Sequence, residues 1–193
     1  MSKKSTREAI LEATFAVIGE RGIKGATTRL IAEKAGVNEV TLFRQFGSKN
    51  KLIQTAVNTR METVARESVH YTGDIEADLV SLADGVKNTL ELLGPVARAM
   101  LAELPLNPEL SAGIRGPKEL FAVVSAMLGR YQQEGRLAPE PHGTLVPAFL
   151  GPIFVRYIVM DVAAAPEDLT ATPFDPTAHV QFFLHGREQG DEL

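Results

Sequence analysis

Apolar residues recur at helical spacing from the beginning of the chain. Leu11 and Phe15 lie four residues apart, on one face of a helix, and a serine and a glutamate three residues apart, Ser5 and Glu8, precede them with the spacing of a capping box. Glycine ends helices readily because it adopts left-handed backbone angles. The pattern therefore predicts a first helix that ends at about residue 20, before Gly22.

The same spacing continues through the rest of the sequence. Valine, isoleucine and threonine fall on helical rather than alternating positions, so the pattern favours no strand pair. We predict an all-α protein of about nine helices. The helices after the first cover about residues 28–35, 39–46, 48–71, 74–93, 95–104, 117–134, 144–164 and 176–184, with a turn-rich stretch at 105–117.

The second and third predicted helices are short and separated by a glycine. Ala32 is small enough for a close helix crossing, Gly36 suits the turn, and Val37 and Leu42 are apolar positions that can face inward. These residue types at this spacing predict a helix-turn-helix. A plain helical hairpin that binds no nucleic acid is the alternative that spacing alone leaves open.

The charge of the chain is unevenly distributed. Residues 1–53 contain ten Lys and Arg against five Asp and Glu, a net charge of +5, and since the whole chain carries -4 the remainder carries -9. A basic head on an acidic body indicates that the head meets a polyanion, unless the clustering is chance. The chain has no cysteine, which excludes disulfides, cysteine-ligated metals and thiol nucleophiles.

No targeting segment stands out in the sequence. The charged amphipathic stretch at the N-terminus lacks an apolar core, and no uninterrupted apolar span approaches the roughly 20 residues of a membrane helix. We therefore expect a soluble, cytoplasmic protein.

Three runs of residues resemble a known family. TREAILEA at 6–13, TTRLIAEKAGV at 27–37 and TLFRQFGSK at 41–49 are similar to the DNA-binding head of tetracycline-repressor (TetR) family regulators, over about residues 6–53. The resemblance implies a dimeric transcriptional repressor that a small-molecule ligand releases from a palindromic operator. It further implies a helix-turn-helix DNA-binding domain at 1–47 and an effector-binding and dimerisation domain at 48–193.

The polar side chains of the third helix are candidates for reading bases in the major groove. Arg44 suits guanine, Gln45 suits adenine, and the Thr41 methyl group suits thymine, although Arg44 and Gln45 are alternatively only solvated. The predicted DNA-binding set is Thr28, Arg29, Asn38, Glu39, Val40, Thr41, Phe43, Arg44, Gln45, Lys49 and Lys51.

The remaining members of this set have other expected roles. Arg29 is placed to reach a base or a phosphate, and Glu39 either accepts from a cytosine amino group or repels wrong sequences. Lys49 and Lys51 follow a Ser48 cap, where a helix N-terminus favours a phosphate. Phe43 stands where the family usually has tyrosine, so one phosphate donor is missing.

The predicted helix at 144–164 is apolar nearly all round, which an exposed helix cannot sustain in water. We predict that it pairs with the last helix to form a dimer interface, unless it is fully buried within one chain. Pro147 and Pro152 should shift its start or kink it. The predicted interface residues are Phe149, Phe154, Tyr157, Ile158, Val180 and Phe183.

The effector site is predicted between helices of the body, with the fourth helix as the lever to the head. Its predicted lining is Met61, Val64, Met100, Leu104, Phe121, Met127 and Tyr131, and ordinary core packing is the alternative for each. The four histidines lack metal-ligand spacing, and catalytic motifs such as GxGxxG or HExxH are missing, so we expect no metal, no cofactor and no enzyme activity. An all-α enzyme and a DNA-binding protein without a ligand are the competing classes.

Overall fold

The structure is a computed structural model that describes residues 5–160 and 165–185. Within those residues every regular element is a helix, which confirms the predicted all-α fold. The helices are α1 Thr6–Gly25, α2 Thr28–Ala35, α3 Glu39–Phe46, α4 Lys49–Ser68, α5 Ile75–Glu103, α6 Pro108–Ala112, α7 Gly116–Gln133, α8 His142–Phe154, α9 Glu167–Thr170 and α10 Pro176–Leu184. A 3₁₀ turn, Leu104–Leu106, follows α5, and a π-helical turn, Val155–Val159, continues α8.

Side-chain caps begin several helices where the sequence indicates them. The Glu8 N–H donates to Ser5 Oγ at 3.2 Å, and the Ser5 N–H donates to the Glu8 carboxylate at 2.8 Å, which completes the capping box of α1. Ser48 Oγ accepts from the Lys51 N–H at 3.2 Å before α4. Asp175 accepts from the Thr177 N–H at 2.9 Å before α10. These local interactions explain why the helix starts are close to the predicted ones.

Two predicted helix boundaries are wrong because packing outweighs a local break. Gly22 has φ 68° inside α1, yet the helix resumes and ends at Gly25, since Ile23 is buried in the core beyond the kink. Pro95 has no N–H to donate to the preceding turn, yet α5 runs through it without ending. Leu90, Val96 and Met100 are buried on either side of the proline, so one continuous helix keeps its apolar stripe in place.

Two other boundaries moved by a few residues. The fourth helix ends at Ser68 rather than near Tyr71. Helix α8 begins at His142, two residues before the predicted start, and it contains Pro147 and Pro152. The earlier start agrees with the expected shift, and a π-helical turn follows α8 directly. The last part of the predicted helix, residues 161–164, lies outside the described residues.

The chain forms two compact units by internal contacts. The first unit comprises Met1–Met61 and Leu93–Pro117, and the second comprises Glu62–Leu92 and Lys118–Leu193. The first contains thirteen Lys and Arg against seven Asp and Glu, and the second contains seven against seventeen, so their net charges are +6 and -10. The predicted domain boundary between residues 47 and 48 stays a prediction.

Each unit has its own buried apolar residues. The first unit packs α1 to α4 with the end of α5 and α6, around Ile10, Ile18, Ile31, Leu42, Leu52, Ile53 and Leu110. The second unit buries Leu79, Leu82, Val124, Leu128, Phe149, Ile153 and Val180. Apolar stripes at helical spacing therefore account for both cores.

One segment of the described residues, His142–Val159, is long and apolar enough to cross a membrane by length and composition alone. Arg156 interrupts the segment, so the expectation that no uninterrupted apolar span approaches that length is not contradicted. Leu145, Phe149 and Ile153 of this segment are fully buried within the second unit. A buried core helix of a soluble protein meets the same criterion, so the segment is weak evidence for a membrane.

Candidate nucleic-acid interface

The turn between α2 and α3 is built from a cap, a left-handed glycine and a second cap. Thr27 Oγ1 accepts from the Leu30 N–H at 3.2 Å and starts α2. Gly36 has φ 67° and ψ 32°, the left-handed conformation that ends a helix, and the Val37 N–H donates to the Ala32 carbonyl at 3.0 Å. Asn38 Oδ1 then accepts from the Val40 N–H at 2.9 Å. These interactions fix the predicted helix-turn-helix.

One side of the helix-turn-helix is buried. Of the two residues predicted to face inward, Leu42 is buried and Val37 is half-buried against the same core. Ala32, predicted at the helix crossing, is buried together with Phe46. The guanidinium of Arg7 in α1 lies over the Phe46 ring at 5.0 Å from its centroid, a cation–π contact that joins α1 to α3. α3 is therefore held by its apolar side and presents the opposite side to solvent.

The exposed side of α3 carries the candidate base-reading residues. Residues advance by about 100° along a helix, so Val40 and Arg44 lie opposite Leu42 and Phe46. Val40 is 72% exposed and Phe43 is 46% exposed. Among the other predicted residues, Asn38, Arg44, Gln45 and Arg29 on α2 are exposed, and Thr28, Glu39 and Thr41 are half-buried. The structure thus brings this part of the set together on one short helix and the start of its neighbour.

Glu39 has a partner that sequence reasoning missed. Thr28 Oγ1 donates a short hydrogen bond to Glu39 Oε1, which joins the first turns of α2 and α3. A carboxylate in the first turn of a helix also interacts favourably with the helix dipole. The pair fixes the relative position of the two helix starts, and no sequence spacing signals it.

The two lysines at the start of α4 are in different environments. Lys51 is exposed, whereas the Lys49 ammonium donates to the carbonyl of Ile23 at 2.6 Å, at the end of α1. Partial burial lowers the pKa of Lys49, and the nearby Glu103 carboxylate raises it by a smaller amount. Lys49 therefore joins the start of α4 to the end of α1, a role that differs from the predicted phosphate contact.

Helix α4 is also tied to the segment around α6 in the first unit. Gln54 Nε2 donates to the Glu109 carbonyl at 2.9 Å, and Asn58 Nδ2 donates to the Gly113 carbonyl at 2.8 Å. A Cβ atom placed on Gly116 would lie 2.4 Å from Met61 Cβ, so only glycine permits this approach. Asn58, which sequence reasoning did not single out, is thus an anchor of α4.

In the second unit, Tyr131 belongs to a buried polar network. Its hydroxyl donates to the Asp78 carboxylate at 2.5 Å, and Thr72 donates to the same carboxylate through its N–H at 2.8 Å and its hydroxyl at 2.6 Å. Burial alone would raise the pKa of Asp78, but these hydrogen bonds outweigh it and hold that pKa below its usual value. Burial and the Asp78 carboxylate raise the pKa of Tyr131.

The other predicted ligand-lining residues are divided between the units. Met61, Met100 and Leu104 belong to the apolar cluster of the first unit. Met127 is buried in the second unit and Phe121 there is exposed, while the Val64 side chain lies outside the described residues. This lining remains a prediction.

The predicted interface residues of α8 and α10 are mostly covered by their own chain. Phe149, Ile158, Val180 and Phe183 are buried, and Phe154 and Tyr157 are half-buried. Burial raises the pKa of Tyr157 to about 12, with a further contribution from its hydrogen bond to Glu91. The large exposed apolar residues of these helices and the π-helical turn are Val155, Val159 and Phe182.

Within the described residues, no group of three or more His, Asp or Glu side chains is arranged to hold a metal ion. The exposed α3 face offers side chains for hydrogen bonding, charge and apolar contact. A helix-turn-helix held this way in a basic unit defines a class of protein, the helical DNA-binding transcription regulators.

Comparisons with known proteins agree with this class. Residues 10–56 match the family model of bacterial regulatory proteins, tetR family. The chain is 30% identical to the regulator BetI of Stenotrophomonas maltophilia (strain R551-3), over 72% of each chain. It is 30% identical to the regulator YvkB of Bacillus subtilis (strain 168), over 46% of this chain and 47% of YvkB.

Solved structures share the fold at lower sequence identity. FadR, a fatty acid degradation regulator of Bacillus halodurans, superposes with a TM-score of 0.71 at 20% identity, covering 96% of this chain and 95% of that one. The flavonoid-responsive regulator FrrA superposes with a TM-score of 0.69 at 17% identity, covering 96% and 98%. The chain belongs to the TetR family of transcriptional regulators.

Proposed function

We propose that this TetR-family regulator is a homodimeric repressor that binds a palindromic operator and is released by a small-molecule effector. The observation that carries the proposal is the exposed face of α3, with Val40, Phe43 and Arg44 outward and Leu42 buried, in a unit of net charge +6. A rigid helix with this exposure and charge fits the major groove of double-stranded DNA.

Individual side chains then take specific roles. Arg44 donates to guanine O6 and N7, Gln45 pairs with adenine, and Thr41 contacts the adjacent base edges. Arg29 and the exposed Lys51 bind phosphates and position the helix, and these contacts carry no sequence information directly. Lys49 supports the interface indirectly, by fixing the start of α4 against α1.

A second copy of the chain supplies the second reading head. Phe182 on α10 is 81% exposed, and Val155 and Val159 are exposed on the turn after α8. Large apolar side chains exposed on a helical protein favour burial against a partner, and two helices from each chain can form a four-helix bundle. A two-fold dimer requires an operator with two-fold symmetry and half-sites about 34–36 Å apart, or a multiple of that spacing.

Effector binding acts through α4. This helix follows the reading head directly, and Gln54 and Asn58 bond it to the segment around α6. An effector that favours another arrangement of that segment moves the start of α4 and with it α3, which lowers operator affinity. The flavonoid response of the structural neighbour FrrA supports a small organic effector. DNA as the target places the protein in the bacterial cytoplasm.

Selection of duplexes from a random pool by the purified chain tests the proposal. We expect enrichment of a palindrome that binds at least about 10³-fold more tightly than random DNA at 0.15 M salt, and two chains per duplex by sedimentation. Binding without sequence preference, or one chain per duplex at full affinity, would contradict it. Screening small organic molecules for release of that duplex tests the effector part separately.

A further inference from the structure

The reading face of α3 has an apolar centre. Val40 and Phe43 are three residues apart and therefore neighbours on one helix face, and Leu30 of α2 is also exposed, at 39%. The packing of the fold does not explain why the exposed positions are apolar, since Leu42 and Phe46 already supply the buried side of α3. Exposed apolar side chains on this face need a partner.

The surrounding charge indicates the kind of partner. Arg29 and Arg44 are exposed beside these apolar residues, in a unit of net charge +6. An apolar protein surface would leave such cations without counter-charges, whereas DNA supplies phosphates around its grooves. The partner must therefore carry many negative charges around an apolar group.

The major groove offers one apolar group on the base edges, the 5-methyl group of thymine. Valine and phenylalanine have no side-chain donor or acceptor, so against guanine or cytosine they would leave polar edges buried and unpaired, which costs free energy. Phe43 also lacks the hydroxyl with which a tyrosine would bond a phosphate.

We propose that Val40 and Phe43 select thymine at one or two positions of each operator half-site, through contact with the 5-methyl group. This inference rests on the proposed function, because it assumes that α3 enters the major groove. It adds a base preference that hydrogen-bonding residues alone would not give. Val40, the more exposed of the two and opposite the buried side of α3, is the principal contact.

Replacement of thymine by uracil tests the inference, because uracil lacks only the methyl group and keeps the hydrogen-bond pattern. The duplex selected by the wild-type chain is resynthesised with uracil at each thymine in turn, in both half-sites. At the contacted position we expect affinity to fall about fourfold per half-site, as for the loss of one methyl-sized contact, and about 15-fold for both.

Variants assign the effect to named side chains. At one position, Val40→Ala should bind the duplex with thymine and the duplex with uracil with nearly equal affinity. Phe43→Leu should reduce the loss of affinity that uracil causes at the same or the next position. Val40→Ser removes both methyl groups and adds a hydroxyl that can bond a base edge, so it is measured instead if the alanine variant binds too weakly, with the same expected loss of sensitivity. Leu106→Ala, which changes a 70% exposed leucine in the 3₁₀ turn after α5, should leave the sensitivity unchanged.

The outcomes separate this inference from the proposed function. If no duplex is selected, the proposed function fails. If a duplex is selected but contains no thymine in its half-sites, or no uracil substitution lowers affinity, thymine selection is wrong. A sensitivity that persists in the Val40 and Phe43 variants also overturns it, since other residues would then read the methyl group.

Discussion

Two sets of polar side chains, one in each unit of the chain, are used in opposite ways. In the basic first unit, Arg44 and Gln45 on α3 point outward and are exposed to solvent. In the acidic second unit, the buried carboxylate of Asp78 accepts hydrogen bonds from both Thr72 and Tyr131. The first arrangement leaves hydrogen-bonding capacity for another molecule, and the second consumes it within the chain.

This difference separates a binding role from a structural role for residues that look alike in the sequence. Tyr131 is predicted as part of an effector site, but it is fully buried and its hydroxyl is bonded to Asp78. Buried polar groups with all partners present rigidify a fold. Hydrogen-bonding capacity that remains exposed on a rigid helix is therefore the better guide to a binding surface.

The largest expected effect concerns the exposed apolar residues of the second unit. Phe182→Glu should convert dimers to monomers and lower operator affinity by about 100-fold or more, because two linked heads bind far more tightly than one. Sedimentation and duplex titration measure both effects. Leu106→Glu in the first unit is the matched control and should leave the dimer intact. If Phe182→Glu still formed dimers at the protein concentrations at which wild type does, the proposed interface would be contradicted.

The next largest expected effect is a loss of stability when one hydroxyl is removed from the buried network. Tyr131→Phe leaves the Asp78 carboxylate with one donor fewer and should lower the free energy of unfolding by about 1–3 kcal/mol. Chemical denaturation measures this change. Tyr71→Phe removes a hydroxyl bonded to the exposed Glu134 and should change stability little. Equal effects of the two variants would show that the network is not the structural element we describe.

Alanine substitutions of the two lysines of α4 should differ in how they change the salt dependence of DNA binding. Lys51→Ala should weaken binding to all duplexes alike and reduce the slope of log affinity against log salt by roughly one, because one phosphate contact is lost. Lys49→Ala should lower thermal stability and leave the slope nearly unchanged, because its ammonium bonds the end of α1. A full unit of slope lost on Lys49→Ala would instead support its predicted phosphate contact.

The smallest expected effect is a pH dependence of the second unit. His179 donates from Nε2 to the Phe149 carbonyl at 2.9 Å, and burial lowers its pKa below 6.5. The unfolded chain then takes up a proton before the folded chain does, so stability falls as pH drops below about 6.5. Between pH 7.5 and 5.5 the melting temperature of wild type should fall more than that of His179→Gln. Identical shifts would exclude His179 as the cause.

Local signals account for what the sequence predicts of the fold. The capping residues Ser5, Asn38, Ser48 and Asp175 act within one helix turn, so their effect is readable from neighbours in the chain. The continuation of α5 through Pro95 depends on burial of residues on both sides of it, which local sequence does not contain.

Some features of the candidate site likewise follow from local sequence, and others do not. The outward direction of Val40 and Arg44 follows from helix periodicity once Leu42 and Phe46 are assigned to the core. The partner of Lys49 lies 26 residues away and the partner of Glu39 lies 11 residues away, so neither follows from local spacing. For α8, the sequence is apolar on all sides and does not tell which side its own chain covers.

The central claim is that the outward face of α3 reads base sequence, and Arg44 tests it most directly. Duplexes are selected from a random pool by wild type, Arg44→Ala and Lys51→Ala, and the base preferences are compared position by position. We predict that Arg44→Ala loses preference at one position in each half-site, while Lys51→Ala keeps all preferences at uniformly lower affinity. Unchanged base preferences in Arg44→Ala would contradict this role of Arg44 on the reading face.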